Sequence, residues 1–312
     1  MDKVFENYCY EMIANEFIKF LREIKVNPIN WTYISENPNL SWNAIKNNMD
    51  LEWDWLHITK HKCINMKIIN EYERDVPWRR ITITENPNIT YDDIKKNPSL
   101  YWSWGILYSN SNINIDILIE RKLKDVNSHR YISSNLSRNT NLTIDIIKRF
   151  NYENSKIRWE WSTLSMNPVI TMDIINSNPD MPWNWMYLSL NPNITWEFVL
   201  KNIHEEWCWS FLSKHPNITW KIIQSNPEYP WNTRSVSLNP NITWEIIQEN
   251  PDYPWHWWYI SENPNITYDI IRRNPDKPWD WFYLSRNKFT KQKNKTINKY
   301  KYKYYSDMLN CM

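Results

Sequence analysis

The sequence predicts an all-α fold, an α-solenoid of 24-residue units that each hold two short helices. Three observations predict it. The first is a recurring phrase: NPNITYD starts at 86 and 263, NPNITWE at 191 and 239, and HPNITWK at 215. Aligned on NPN, the copies start at 37, 61, 86, 110, 139, 167, 191, 215, 239 and 263. A fixed period of this size marks a stack of supersecondary units. The second is the pattern inside a unit, N-P-N-I-T-W-E-I-I-x-x-N-P-D-x-P-W-x-W-x-x-L/I-S-x, which reads as two helices separated by proline-bearing turns. The third is composition. The 312 residues include 22 Trp and one Gly, with 42% hydrophobic and 23% charged residues, so a core is available and Gly is not what ends the helices.

Copy 239–262 shows how each element is expected to arise. Thr243 is an N-cap candidate whose hydroxyl can accept from the free N–H groups of the first turn. Ile242 and Ile247 stand at hydrophobic-staple positions, and Glu245 suits the positive end of the helix dipole. Asn250-Pro251 stops this first helix, because a residue before proline is pushed out of the α region. Asp252 and Pro254 are expected to start the second helix, which would run through Trp255, Trp257 and Ile260 to Asn263-Pro264. Helices this short are marginal in isolation, so stability must come from stacking.

Three regions follow. Residues 1–36 read as an N-terminal helical cap, with an apolar stripe from Val4 to Leu21 and a lone second-helix pattern around Trp31 and Ile34. Residues 37–286 hold the ten-unit array, irregular at 110–166, where two copies carry four or five extra residues that a solenoid would place in loops on one face. Residues 287–312 form a Lys/Tyr-rich tail with seven lysines and one acid, which leaves the body slightly acidic.

The stretch NPNITWEIIQENPDYPWHWWYISENPN resembles the leucine-rich variant repeat, whose 24-residue unit also alternates NPN- and DP-type turns with two short helices. The resemblance covers roughly 37–286 and implies alternating α and 3-10 helices, with aromatic residues replacing much of that family's aliphatic core. The wording of the units is closer still to the NPNITW tandem-repeat proteins of large DNA viruses of the mimivirus group, which implies a viral protein in the host cytoplasm, with virion and nucleus left open. No segment matches the cysteine-bound iron–sulfur region of some leucine-rich variant proteins, so no cofactor is implied.

The residues argue against an enzyme. With Gly105 as the one glycine, no P-loop, dinucleotide fingerprint or nucleophile elbow can be written. Cys9, Cys63, Cys208 and Cys311 lie far apart with no CxxC pair. His57, His61 and Cys63 form the best metal-like cluster, but His61 and His215 occupy the turn Asn position and read as substitutions there, so no metal is expected. No transmembrane stretch and no signal peptide are visible, which points to a reduced intracellular setting and a soluble protein.

Two features remain as candidate interaction sites. The first is an aromatic row, Trp183/Tyr187, Trp207/Phe211, Trp255/Tyr259 and Trp279/Tyr283, which either packs between stacked units or forms an exposed ladder. Packing is the stronger reading, since an exposed ladder this long would exceed the apolar patch of an ordinary monomer. The second is the tail, with Lys291, Lys293, Lys295, Lys299, Lys301 and Lys303 interleaved with tyrosines. It reads either as a contact for phosphates and bases or as a disordered solubilising terminus. The expected function is a non-enzymatic scaffold for a protein partner. The alternative is a nucleic-acid-associated protein that uses the tail and the aromatic rows.

Overall fold

The structure, a computed structural model, describes residues 3–24, 28–124, 130–151 and 157–310, without the side chains of 3–4, 130–133 and 302–310. The regular elements of these residues are helices, with no strand among them, and the short helices follow one another in the repeated arrangement of an all-α solenoid. The chain divides into two compact units. Unit 1 joins Met1–Cys63 to Asn232–Met312, and unit 2 is Ile64–Trp231.

The first helix of a copy begins as its sequence dictates. In Trp244–Glu249 the Thr243 hydroxyl accepts the Ile246 N–H at 3.3 Å. Thr171, Thr195, Thr219 and Thr267 repeat that cap. The C-terminus is closed by two side chains. Asn250 donates its amide to Ile246 O at 2.8 Å, and the Trp255 indole N–H donates to Asn250 O at 2.8 Å. An asparagine and an indole thus satisfy carbonyls that a helix end leaves without partners.

The second helix starts later than its prolines suggested. It spans Trp257–Glu262, with His256 as N-cap accepting the Ile260 N–H at 2.9 Å, and residues 254–256 run as a non-helical lead-in. The reason is local. The Trp255 N–H is already bonded to Tyr253 O at 2.7 Å and its indole is tied back to Asn250, so the chain cannot turn into a helix at Pro254. Trp255 and Tyr259 therefore do not form an i,i+4 row on one helix. The second helices are α in the described copies apart from Arg80–Glu85, which is 3-10, rather than alternating strictly as the resemblance implied.

Copies are joined by side-chain amides. Asn263, fully buried, donates Nδ2 to Ser237 O at 2.9 Å and to Asn239 O at 3.1 Å, on either side of the boundary that opens the preceding copy. Its Oδ1 accepts the Asn265 N–H at 2.9 Å, which shapes its own turn. Asn265 reaches Pro240 O at 2.7 Å and Ile242 O at 2.9 Å. Within unit 2 the same bonds link Asn191 to Ser165 and Asn167, and Asn193 to Pro168 and Ile170. A third thread runs through serine, since Ser261 Oγ accepts the Asp280 N–H at 2.9 Å while donating to Trp257 O. Apolar Ile242, Ile247, Ile260 and Ile266 fill the space between.

In unit 1 the ladder passes from the last copy to the first. Asn287 bonds back to Asn263 O at 2.8 Å, and Asn37 Nδ2 donates to Asn287 O at 2.8 Å. Asn39 reaches Lys288 O at 2.9 Å, and the Asn30 N–H reaches Ser285 Oγ at 2.8 Å. The second helices therefore stack in the order Thr233–Leu238, Trp257–Glu262, Trp281–Arg286, Trp31–Ser35, Trp55–Thr59. The terminal helices Lys3–Ile24 and Thr290–Asn310 pack against each other beside this seam. Phe20 stacks on Tyr268 at 4.4 Å and meets Phe289 edge-on at 5.5 Å. Lys3–Ile24 also lies on the first copy, where Glu11 accepts from Ser41 at 2.9 Å. In the irregular copies the helices Ile115–Lys124 and Arg130–Ser137 are longer than their counterparts. Residues 125–129 and 152–156, where extra loop was expected, lie outside the described residues.

Asn263→Ala should strand two buried carbonyls and one turn N–H, costing about 2–4 kcal/mol in urea unfolding. Exposed Glu249→Ala should stay within about 0.5 kcal/mol. An equal effect of the two would remove the ladder as the joint between copies.

Candidate interaction surface

The W-x-W segment gives its two tryptophans different tasks. The first is fixed by its indole bond to the preceding helix: Trp183 to Asn178 O at 2.9 Å, Trp207 to Asn202 O at 2.8 Å, Trp279 to Asn274 O at 2.7 Å. Trp183, Trp207 and Trp279 are buried and Trp255 is half-buried. The second tryptophan opens the second helix and meets the next copy's first tryptophan edge-on. Trp185–Trp207 lie at 5.1 Å and 74°, Trp257–Trp279 at 5.4 Å and 84°, and Trp31–Trp53 at 5.6 Å and 86°. This is the preferred arrangement of aromatic quadrupoles. Tyr187, Phe211, Tyr259 and Tyr283 are half-buried at the margin of this packing. The structure thus places Trp183, Trp207 and Trp279 of the predicted row in the joints between copies and leaves Trp255 half-buried together with the Tyr and Phe members.

Apart from Tyr101 in unit 2, the exposed aromatics among the described residues sit one residue beyond W-x-W. Trp258 is 61% exposed and Phe282 43%. Around them Trp258 stacks on Tyr283 at 6.3 Å and 11°, Tyr259 approaches Tyr283 at 5.7 Å, and Phe282 meets Tyr33 edge-on at 5.5 Å. The second helices are the elements of neighbouring copies that pack most closely, so these rings make one continuous strip across Trp257–Glu262, Trp281–Arg286 and Trp31–Ser35. Arg286 fixes the strip, its guanidinium 5.2 Å from the Tyr33 ring and 3.3 Å from the Glu262 carboxylate. Sequence reasoning missed Trp258 and Phe282. The signal was present: the position after W-x-W holds Leu56, Gly105, Ser162, Met186, Ser210, Trp258 or Phe282, while the tryptophans before it recur.

The tail lysines fall on a helix, Thr290–Asn310. Its buried side carries Gln292 and Thr296, and the Thr296 hydroxyl donates to Glu16 at 2.6 Å. Lys291 lies 3.6 Å from Glu245, Lys295 pairs with Asp269, and Lys299 lies 3.5 Å from Glu16. The Lys295 bond holds the Asp269 carboxyl below its ordinary range. Lys293 is half-buried, Lys301 is exposed, and the Lys303 side chain lies outside the described residues. Three of the six candidate lysines therefore face acids of the same unit.

His61 and His215 do the work of the ladder asparagine. A backbone carbonyl can only accept, so His61 Nε2 donates to Asn37 O at 3.0 Å, and Nδ1 accepts the Cys63 N–H at 3.1 Å. His215 does the same with Asn191 O at 2.9 Å and the Asn217 N–H at 3.2 Å. Burial pushes His61 down to about 4 and lowers His215 as well. Burial also raises the Cys63 thiol to about 12, so it stays protonated. Among the described residues no group of three or more His, Cys, Asp and Glu is placed to hold a metal ion, and no helix is long and apolar enough to cross a membrane.

Compared with protein-family models, curated proteins and solved structures, the chain matches none. Its class therefore rests on its own architecture, an all-helical tandem repeat rich in tryptophan.

The depressed His61 value has a consequence with a definite sign. The unfolded chain binds a proton near pH 6.5 and the folded chain only near pH 4, so stability falls as pH drops through this window and levels off below it. At pH 5 the loss should be about 2 kcal/mol relative to pH 7. His61→Asn restores the common ladder residue and should remove most of that dependence in urea titrations at pH 7 and pH 5. An unchanged pH profile in the variant would rule His61 out as its source.

Proposed function

We propose that this protein is a non-enzymatic repeat scaffold that binds another protein through the second-helix strip of unit 1. One observation carries the reading: at a position that other copies fill with Thr32, Leu56, Ile81, Gly105, Ser162, Met186, Ser210 or Arg234, Trp258 and Phe282 put exposed aromatic rings in adjacent copies, and half-buried Tyr33, Tyr259 and Tyr283 frame them. Large aromatic side chains left in water cost about 25 cal/mol per Å² of apolar surface, and their burial is the usual source of binding energy at a protein interface. The rings are held by neighbouring rings and by Arg286, so little side-chain entropy is lost on binding. We place the protein in a reducing intracellular compartment, in keeping with the free thiols of Cys9, Cys63 and Cys208.

The alternative, nucleic-acid association through the tail, has less support, because Lys291, Lys295 and Lys299 are paired with Glu245, Asp269 and Glu16. Deleting the tail would be a poor test, since the segment includes buried Phe289 and Thr296.

Three full-length baits are compared in nuclease-treated extract of the native cell: wild type, Trp258→Ser with Phe282→Ser, and Lys293→Gln with Lys301→Gln. A protein captured by wild type should be reduced at least about tenfold by the double serine variant, as loss of two aromatic anchors predicts. It should be kept by the lysine variant. Capture indifferent to Trp258 and Phe282 would sink the strip as the binding face. Capture lost with nuclease and with the two lysines would favour the nucleic-acid reading.

A further inference from the structure

The tryptophan that opens the second helix presents a ring face, and the chain covers that face differently from copy to copy. Trp209 carries the ring of Tyr229 stacked at 4.9 Å and 12°. Trp104 carries the guanidinium of Arg121 at 3.7 Å. Trp185 faces Phe198 at 6.2 Å and 22°. Each cover is a flat group lying on the indole.

Trp257 lacks such a cover. Its counterpart of Tyr229, two periods on, is Lys277, which pairs with Asp276 at 3.7 Å rather than lying over the indole. No ring or guanidinium stacks flat on Trp257 among the described residues. The rest of the site matches the covered one. Trp257 has Trp279 edge-on at 5.4 Å and 84°, as Trp209 has Trp231 at 5.2 Å and 84°. Trp244 stands at 6.3 Å and 67° to Trp257, as Trp196 stands at 6.4 Å and 69° to Trp209. What differs is the missing cover, and in its place is an open slot of about 600 Å³ lined by Trp244, Asp252, Tyr253, Trp255, Trp257 and Lys277. That volume lies within the ~300–1,000 Å³ of ordinary ligand sites.

We propose that this slot receives an aromatic side chain of the protein partner, seated on Trp257 as Tyr229 is seated on Trp209. The occupant's shape is given by the chain itself, since a phenol ring fills the equivalent space in the copy where tyrosine is present. Its charge preference comes from Lys277. An ammonium at the mouth repels a guanidinium and favours a neutral ring, or one next to an acidic residue. The walls are already set by edge-on contacts with Trp244 and Trp279, so the slot needs no rearrangement to bind. This inference rests on the protein-binding reading and names a second contact, apart from the Trp258–Phe282 strip.

The test uses the full chain and N-acetyl-tyrosinamide as probe, read by saturation-transfer NMR, with adenosine and N-acetyl-argininamide run in parallel. Saturable transfer to the phenol ring protons is expected, exceeding that to the acetyl group and that seen with the other two probes. Lys277→Tyr refills the slot from within and should cut the signal at least about fivefold, the scale of one aromatic stacking contact, with an unchanged or raised Tm. Should Lys277→Tyr fail to fold, Lys277→Met serves instead, since Met181 stands at this position in the copy starting at 167. Transfer that persists in the refilled variant, no transfer in wild type, or stronger binding of adenosine or argininamide would overturn the proposal. Partner capture that still depends on Trp258 and Phe282 would in that event leave the scaffold reading standing.

Discussion

Each buried asparagine of the turn meets two demands through one side chain. Its oxygen accepts a backbone N–H two residues on and shapes the turn. Its amide group donates to two carbonyls at the preceding turn. An amide in this position is fully removed from water, so every bond it fails to make would be a net loss. The 24-residue period is therefore an electrostatic register as well as an apolar one. Shifting a copy by one residue would break the amide bonds together with the isoleucine packing. Histidine can replace asparagine at 61 and 215 because its two ring nitrogens, with the proton on Nε2, offer the same donor and acceptor at nearly the same spacing. The replacement brings a titratable group into a place that otherwise ignores pH.

Tryptophan solves the remaining problem. Short helices leave a large share of their carbonyls without partners. The indole N–H of the W-x-W segment supplies a donor at the C-terminus of the first helix of its copy, and its ring supplies area that joins neighbouring copies. One residue type thus closes a helix and glues two copies, which explains why the chain can hold 22 tryptophans and still present few of them to solvent. It also explains the scarcity of glycine, since helix ends closed by Asn and Trp have no need of a left-handed residue. Among the described non-glycine residues Phe289 alone has a positive φ, 46°, and it stands where the NPN pattern breaks to Asn287-Lys288-Phe289.

The period, the Thr caps and the two-helix unit were legible because they depend on residues close in sequence. Thr243 and Ile246 are three apart, and no tertiary knowledge is needed to pair them. The start of the second helix was misread at Pro254. Proline is compatible with a helix start, but the competing indole bond from Trp255 to Asn250 is not visible in a propensity argument. Asn-Pro reads locally as a helix stop, and the bonds of Asn to the preceding turn are not local, although a polar residue that recurs in nearly every copy points beyond a turn. For the interaction surface, Trp258 and Phe282 were passed over because the regular rows drew attention, whereas the informative position is the one that varies. Nothing local in the sequence could join Asn37 to Asn287, which are 250 residues apart.

That last junction changes how the molecule comes apart. A linear stack of repeats behaves as a zipper that frays from whichever end is loosest. In unit 1 the copies beginning at 263 and 37 are neighbours, and the helices Lys3–Ile24 and Thr290–Asn310 are pressed together beside their seam. Loosening a terminus here uncovers Phe17, Phe20 and Phe289 and breaks amide bonds on both sides of the seam at once. The seam between the copies beginning at 263 and 37 is thus closed by the same kind of amide bond as the other joints of this unit, where an open stack would offer a free face.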